Sequence, residues 1–526
     1  MIVGIDTGGT NVDGVVLDDE GICGTAKVPN TETRASIVEV IEDLRESCEH
    51  FAVTRVVVAT TLVVNAAVQD RLPPCTNVLI PGPGLAPDRS FFGAENHVAA
   101  GAVDHRGRVT EPLSYDGDPS HDVRAVTAKF SDRNPSLERE LADSFATDPD
   151  SLALGNESGA GLTFPERAAT TVANARAKQV FASYEGAVEQ AIADAGLDAP
   201  VYYLKGDGAM LGSDAMGTTP AHTIRSGSAA SALGLVALTG MESGIAVDIG
   251  GTTTDVSRIA EGFPDTEDDV SEGGLETAYA GVTATSLPVG GDTLVRSTSA
   301  GYELADERIG DAAALGGDNP TLTDALHALG IVGTGDPDRA RETLWDLGGD
   351  PEAIAAAVLT EYKRRVGSAI EALSPAEQTA IAVGGTLAPV LGPELGDALD
   401  VVSAAEIPGH ADVAGAVGCG VARVSVDTAV HIDSHRGIKT VTSVGSEQVD
   451  AVEEGRQFSD REVREIVAAA AQEAARAAGG EPNKPIEIQA TDGFSVVERG
   501  SVVGQIINAR ARVAPGIERW FVGEQP

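Results

Sequence analysis

A short pattern is written twice in this chain, at Ile2–Asp13 and again at Gly244–Asp255. Each copy runs from an apolar stretch into an Asp, one further residue, Gly-Gly-Thr, and then a second Asp. The apolar stretch predicts a buried strand. The glycines permit a tight hairpin whose backbone N–H groups can face an anion. Two copies nearly half the chain apart predict two similar lobes with a phosphate-bearing ligand between them.

At 526 residues the chain exceeds one ordinary core and divides into several domains. Its acidic surplus limits its partners. Thirty-seven basic against 80 acidic side chains give a formal charge of -43, spread along the chain and not gathered in a tail. Such a surface opposes nucleic acid and anionic membranes and repels itself unless salt screens it, so the expectation is a host with high internal salt. The four cysteines, Cys23, Cys48, Cys75 and Cys419, contain no CxxC pair. They suggest neither a disulfide framework nor a metal knuckle. No apolar run approaches the length of a membrane span, and no basic segment precedes an apolar one at the start, so a soluble cytoplasmic protein is expected.

Helical spacing of Ile37, Val40, Ile41 and Leu44 predicts a helix within 36–48, and Val56–Ala59 a further parallel strand. Residues 155–167 read as loop, 170–195 as a long helix near the join of the lobes, and Val201–Leu204 as a strand ending in Lys205-Gly206-Asp207-Gly208. The small residues of 229–237 permit close helix approach, as does the stretch 413–424. The expected division is 1–200 for an N-terminal lobe with a β-rich insertion around 78–165, 201–425 for a second lobe, and 426–526 for a small α+β appendage.

Nucleotide phosphoryl transfer needs backbone donors for phosphate oxygens and carboxylates for Mg²⁺. Asp6 and Asp248, at strand ends before glycine turns, are the natural metal-side carboxylates. Gly8, Gly9, Thr10 and Gly250, Gly251, Thr252 are the natural phosphate donors. Asp13 and Asp255 are expected to orient the turn or a metal-bound water. Gly384 and Gly385, after the strand Ile381–Val383, suit a close approach of ribose or base. Thr60, Thr61 and Asn65 stand at the carboxyl end of a strand, where ligands bind in open α/β sheets, although a helix cap explains the threonines equally well. Lys205 and Asp207 read either as contacts to substrate and phosphate or as an internal ion pair. The chain contains no GxxxxGK[ST] and no GxGxxG after its first strand.

The agreement reaches further than these turns. Asp6–Thr10 with Asp13, Thr60-Thr61 with Asn65, Lys129-Phe130-Ser131 with Arg133-Asn134-Pro135, Lys205–Gly208, Arg225–Ala230, Asp248–Asp255 and Pro320–Ala325 together resemble the hydantoinase A / 5-oxoprolinase family. The resemblance implies an α/β, two-lobed fold of the actin, Hsp70 and sugar-kinase type. It implies ATP and Mg²⁺ as cofactors, and hydrolysis or activation of a cyclic amide, of hydantoin or 5-oxoproline type, by phosphorylation of the amide oxygen. Asp6, Asp248, Asp255, Lys205 and Asp207 are the catalytic candidates and Thr60, Thr61, Asn65 and Arg225 the candidate substrate contacts; the resemblance also implies a B-type subunit as partner. A homo-oligomer is a second assembly left open. One departure stands out: many relatives carry an Asp and a His before a longer glycine run, where this chain has Thr285–Asp292. A small-molecule kinase and an ATP-switched activator are the alternative readings.

Overall fold

A computed structural model describes residues 1–48, 50–85, 95–145, 147–159, 162–299, 301–308, 310–374, 379–398, 402–444 and 446–523. The repeated pattern becomes a repeated topology. Ile2–Thr7 pairs antiparallel with Asn11–Leu17 and parallel with Arg55–Thr60. Gly244–Ile249 likewise pairs antiparallel with Thr254–Ala260 and parallel with Thr379–Gly384. Each hairpin thus occupies the middle of its sheet, with its turn at the carboxyl end of the parallel strands. Both central strands are buried on both faces because helices cover them. Adjacent residues, which point to opposite faces, are both buried in each: Ile2 and Val3 in the first, Ala246 and Val247 in the second.

Between the sheets lie two helices, Ser226–Thr239 and Ala414–Val421, made almost wholly of small residues. A Cβ on Gly234 would lie 1.8 Å from the Ala414 carbonyl, and one on Gly418 1.8 Å from the Ala230 carbonyl. Only glycine permits this approach, so the spacing of the lobes is fixed by two missing methyl groups.

The expected boundary at 200/201 is corrected by the sheets. Val201–Leu204, Ala209–Gly212 and Arg423–Val424 all extend the first sheet, placing these segments in the N-terminal lobe. Sequence order misled because the chain returns to its first lobe after completing the second. The long helix also begins earlier than expected, at Phe164. Pro165 sits in its first turn, where a missing N–H costs nothing, so a proline within the stretch read as loop helps to start the helix. The helix 36–48 is found as Thr33–Glu46, with Ile37, Val40, Ile41 and Leu44 on its buried face.

The insertion forms a four-stranded sheet in the order Leu152–Leu154, Val123–Ala128, Cys75–Ile80, Glu95–Val98, beside a hairpin of Ala100–Val103 and Val109–Ser114. Part of the expected insertion, including 86–94 and 160–161, lies outside the described residues. The appendage is a five-stranded antiparallel sheet, with Thr428–Asp433 between Ile438–Ser443 and Ser501–Val513, covered by the helix Asp460–Ala477. Polar staples hold it to the insertion. Arg106 makes bidentate contacts of 2.9 and 3.0 Å to the buried Asp433, and Arg139 meets Glu447 at 2.8 Å. No helix among the described residues is long and apolar enough to cross a membrane.

Candidate functional site

The two glycine turns face each other. Thr10 Oγ1 and Thr252 Oγ1, from opposite lobes, are 3.4 Å apart. The turns are built alike: Gly8 N–H donates to Asn11 O and Gly250 N–H to Thr253 O, both at 3.0 Å. A cavity of about 280 Å³ opens between them, lined by Asp6, Gly8, Gly9, Thr10, Gly250, Gly251 and Thr252, with Asp13, Asp248 and Asp255 beneath.

Asp13 and Asp255 are closer to this chemistry than their spacing suggested. The hairpin register pairs Asp6 directly with Asp13, and Asp248 directly with Asp255. Opposed residues on a hairpin put their side chains on one face, so four carboxyl groups converge on the cleft. Burial, with Asp13 and Asp248 adding like charge, pushes Asp6 up to about 8. Burial lifts Asp13 to about 6 even against Lys27. Asp255 reaches about 6 through burial, with the Ser286 and Ser228 hydroxyls restraining it and Asp248 adding to the rise. Asp248 is raised by burial and drawn back by Ser231 and Lys27.

Such crowding is costly for carboxylates alone and favourable beside a cation. Oδ1 of Asp255 has no hydrogen-bond partner, a further acceptor left for something else. Among the described residues no three His, Cys, Asp or Glu side chains come close enough to hold a metal by themselves.

The substrate-side expectations divide. Thr61, Asn65 and Arg225 line the same cavity. Asn65 Nδ2 donates to Thr61 Oγ1 at 3.0 Å, so the pair forms one polar wall. Arg225 has φ 63° and pairs with Glu267 and with Glu272, the latter at 3.0 Å. Thr60 lines the cavity as well, although it is 3% exposed and its hydroxyl accepts from Leu62 N–H at 3.2 Å. Gly385, at φ +88°, lines the cleft, whereas Gly384 packs against Leu235 and Ala414 below it.

Lys205 and Asp207 do not line the cleft. They form a buried ion pair at 3.0 Å, joined by Arg512 at 3.2 Å. Against the upward push of burial, Lys205 and Arg512 hold the Asp207 carboxyl down to about 2. Their strand turns toward the C-terminal sheet, and the pair locks that sheet to the N-terminal lobe. The catalytic expectation for both is replaced by the internal ion pair.

The sequence reading missed Lys27. Its ammonium donates to both oxygens of Asp13, at 2.7 and 2.8 Å, and to Asp412 O at 2.9 Å. The signal existed, since a hairpin closing at Asp18–Gly21 aligns Lys27 with Asp13 across the strands. Ser228 and Ser231 were also missed. One turn apart on the central helix, they donate to Asp255 (3.2 Å) and Asp248 respectively. In the departing segment, Ser286 pairs in register with Asp255, and Gly291 N–H and Asp292 N–H donate to Gly250 O and Gly251 O. The shortened glycine run therefore buttresses the second turn. Asp324, in another recognised segment, is structural: it accepts from the N–H groups of Ala313, Ala314 and Thr321.

Comparison with known proteins agrees with this architecture. The hydantoinase/oxoprolinase profile matches residues 167–428, and the hydantoinase/oxoprolinase N-terminal region profile matches residues 2–91. Nucleotide-free acetone carboxylase, described as carboxylating acetone with ATP, is similar at TM-score 0.73 and 17% identity, over 99% of this chain and 88% of that one. The ATP-dependent caprolactamase from Pseudomonas jessenii is similar at TM-score 0.67 and 16% identity, over 98% and 87%. No curated protein matches the chain.

Proposed function

The chain belongs to the hydantoinase/oxoprolinase family, and we propose from that membership and from the cleft that it uses Mg·ATP to activate a cyclic amide for hydrolysis. The observation carrying this reading is the convergence of four carboxyl groups between two facing glycine turns. An amide is a poor electrophile and its nitrogen a poor leaving group. Moving the γ-phosphoryl group onto the amide oxygen, with ADP leaving, gives an imidate phosphate that water can attack. Bound Mg²⁺ would supply charge neutralisation for the phosphates; Asp6 and Asp248 are the residues to hold it.

The remaining roles fall to this chain's own side chains. With the Gly8 and Gly250 N–H groups closing the turns, the remaining turn N–H groups, of Gly9, Thr10, Gly251 and Thr252, bind phosphate oxygens in both lobes and so draw the lobes together. Lys27, oriented by Asp13, places its ammonium at the phosphate side. Asp255, unpartnered at Oδ1 and raised by burial to about 6, is suited to take the ring N–H proton as the amide oxygen is phosphorylated. Thr61, Asn65 and Arg225 form the wall for the cyclic amide. The caprolactamase likeness supports a lactam-type ring, and the family supports a B-type subunit as the partner completing the enzyme.

The test is ATP hydrolysis by the purified chain at molar KCl with Mg²⁺, with and without hydantoins, 5-oxoproline, caprolactam, and acetone with bicarbonate. Stimulation by a cyclic amide, lost in Asp248→Ala, is the expected result. A stable phosphorylated polyol in a parallel assay would mean a kinase.

A further inference from the structure

A second cavity, of about 320 Å³, lies between the insertion and the C-terminal sheet, and nothing in the cleft's chemistry uses it. Lys129, Arg133, Arg167 and Arg510 line it, four of the chain's 37 lysines and arginines, against Asp132 and Asp492. On a protein of charge -43, a cationic cavity is an exception to the surface rule. Two of these side chains carry unmet donors. Arg167 is 2% exposed, and its terminal nitrogens reach Ser131 Oγ at 3.1 Å, Leu162 O at 2.9 Å and Asp132 at 3.4 Å. Its buried Nε–H has no partner, and neither has the buried Nε–H of Arg133. Unpaired buried N–H groups on guanidinium ions are expensive unless an acceptor comes to them.

The opposite wall offers the reverse. Asn508 Nδ2 donates to Asp492 at 2.8 Å, which fixes its amide so that Oδ1 faces His431 Nδ1, also at 2.8 Å. That carbonyl oxygen can only accept, so the imidazole proton belongs on Nδ1 and Nε2 presents a lone pair. Burial, together with Arg133, lowers the His431 pKa despite Asn508 and keeps the ring neutral. Nε2 is buried and unpartnered, on a residue 8% exposed. The floor is Phe130, whose ring lies 4.8 Å from the Arg133 guanidinium carbon and 5.3 Å from Lys129 Nζ.

We propose that this cavity is a binding site for a small organic carboxylate that also carries an N–H donor, its carboxylate on Arg133 and Arg167 and its N–H on His431 Nε2. Inorganic phosphate would satisfy the arginines but can reach the imidazole only with a P–OH on the same compact ion, and urea would serve the imidazole and not the arginines. The site is remote from the cleft. Arg167 stands in the first turn of the long helix, and Tyr184, which meets Thr7 of the first phosphate hairpin at 2.6 Å, lies 17 residues further on, about 25 Å along the axis. The proposal does not depend on the reaction assigned to the cleft.

Titration calorimetry of the whole chain, in one molar-KCl buffer, with hydantoic acid, acetate, urea and inorganic phosphate tests it. Hydantoic acid has both groups and is expected to bind at least about 10-fold more tightly than the other three. Arg133→Gln is expected to weaken it about 10-fold or more, and His431→Phe to reduce it to the level of acetate, both with basal ATP hydrolysis and melting temperature retained. Should Arg133→Gln fail to fold, His431→Phe carries the test. The proposal is overturned if no probe binds, if phosphate binds more tightly than hydantoic acid, or if the folded variants titrate like the parent.

Discussion

The two phosphate hairpins share a backbone and differ in what answers their second aspartate. In the first lobe the cross-strand ladder runs Asp6, Asp13, Lys27; in the second it runs Asp248, Asp255, Ser286. Lys27 meets Asp13 with a full charge, whereas Asp255 has only hydroxyls beside it and keeps Oδ1 unpartnered. Asp6 has no hydroxyl donor among the described residues and is lifted by burial and by three other carboxyl groups; Asp248 is held by Ser231. Glycine closes in on both. A Cβ on Gly415 would lie 2.1 Å from Asp6 Oδ2, and one on Gly385 2.2 Å from Asp248 Oδ1. A duplicated frame thus differs by three or four side chains, which under the proposed function suit the first half to holding phosphate and the second to moving a proton.

The sharpest break of that comparison is at Asp255. Asp255→Asn is expected to lower amide-stimulated ATP turnover by about 10²–10⁴-fold, the range for losing a general base, while the nucleotide still binds within a few-fold. Ser286→Lys writes the first lobe's ladder into the second and should cost about 10-fold or more for the same reason, by pairing Asp255. Equal loss of nucleotide binding in both variants would remove the proton-transfer role. Steady-state kinetics beside equilibrium nucleotide titration separates the outcomes.

Removing the first lobe's charge should show the opposite signature. Lys27→Met is expected to raise the Km for ATP by about 10–100-fold, as befits loss of a charge-assisted hydrogen bond of about 1.5–3 kcal/mol. It should change the amide Km little. A Km effect confined to the amide would place Lys27 on the wrong side of the cleft.

How much of this was legible in the sequence depends on how local each signal is. The hairpins, the close-packed central helices and the appended α+β unit follow from glycines and periodicity a few residues apart. The serine partners of Asp248 and Asp255 do not, because Ser228, Ser231 and Ser286 acquire meaning only when the helix and the third strand are laid against the hairpin. Lys205 and Asp207 failed differently. A Lys and an Asp after a buried strand look the same whether they face a ligand or Arg512, and Arg512 belongs to the last strand of the chain.

Acidity offers a milder probe of the same asymmetry. Asp6 holds its proton in the folded chain up to about 8, while the unfolded side chain releases it near 3.8. Between those values the folded state carries the extra proton, so raising the pH favours unfolding. The expected outcome is a melting temperature, measured without nucleotide or Mg²⁺, that declines across this window from the Asp6 contribution. Asp6→Asn should flatten the decline more than Asp248→Asn, because burial alone lifts Asp248 and both Ser231 and Lys27 oppose it. Mg·ATP, which favours the ionised form, should flatten it in the parent.

The smallest expected effect is at Ser231. Ser231→Ala removes the one hydroxyl that distinguishes Asp248 from Asp6, and a hydrogen bond of this kind is worth about 1 kcal/mol, a several-fold change. Without it Asp248 should titrate higher and hold its proton against the cation more strongly. The Mg²⁺ concentration needed for half-maximal ATP turnover should therefore rise, and rise more at a lower assay pH than at a higher one. A rise equal at both pH values would mean that the serine positions the carboxylate without affecting its proton, and the distinction between the two metal-side aspartates would then rest on Lys27 and burial alone.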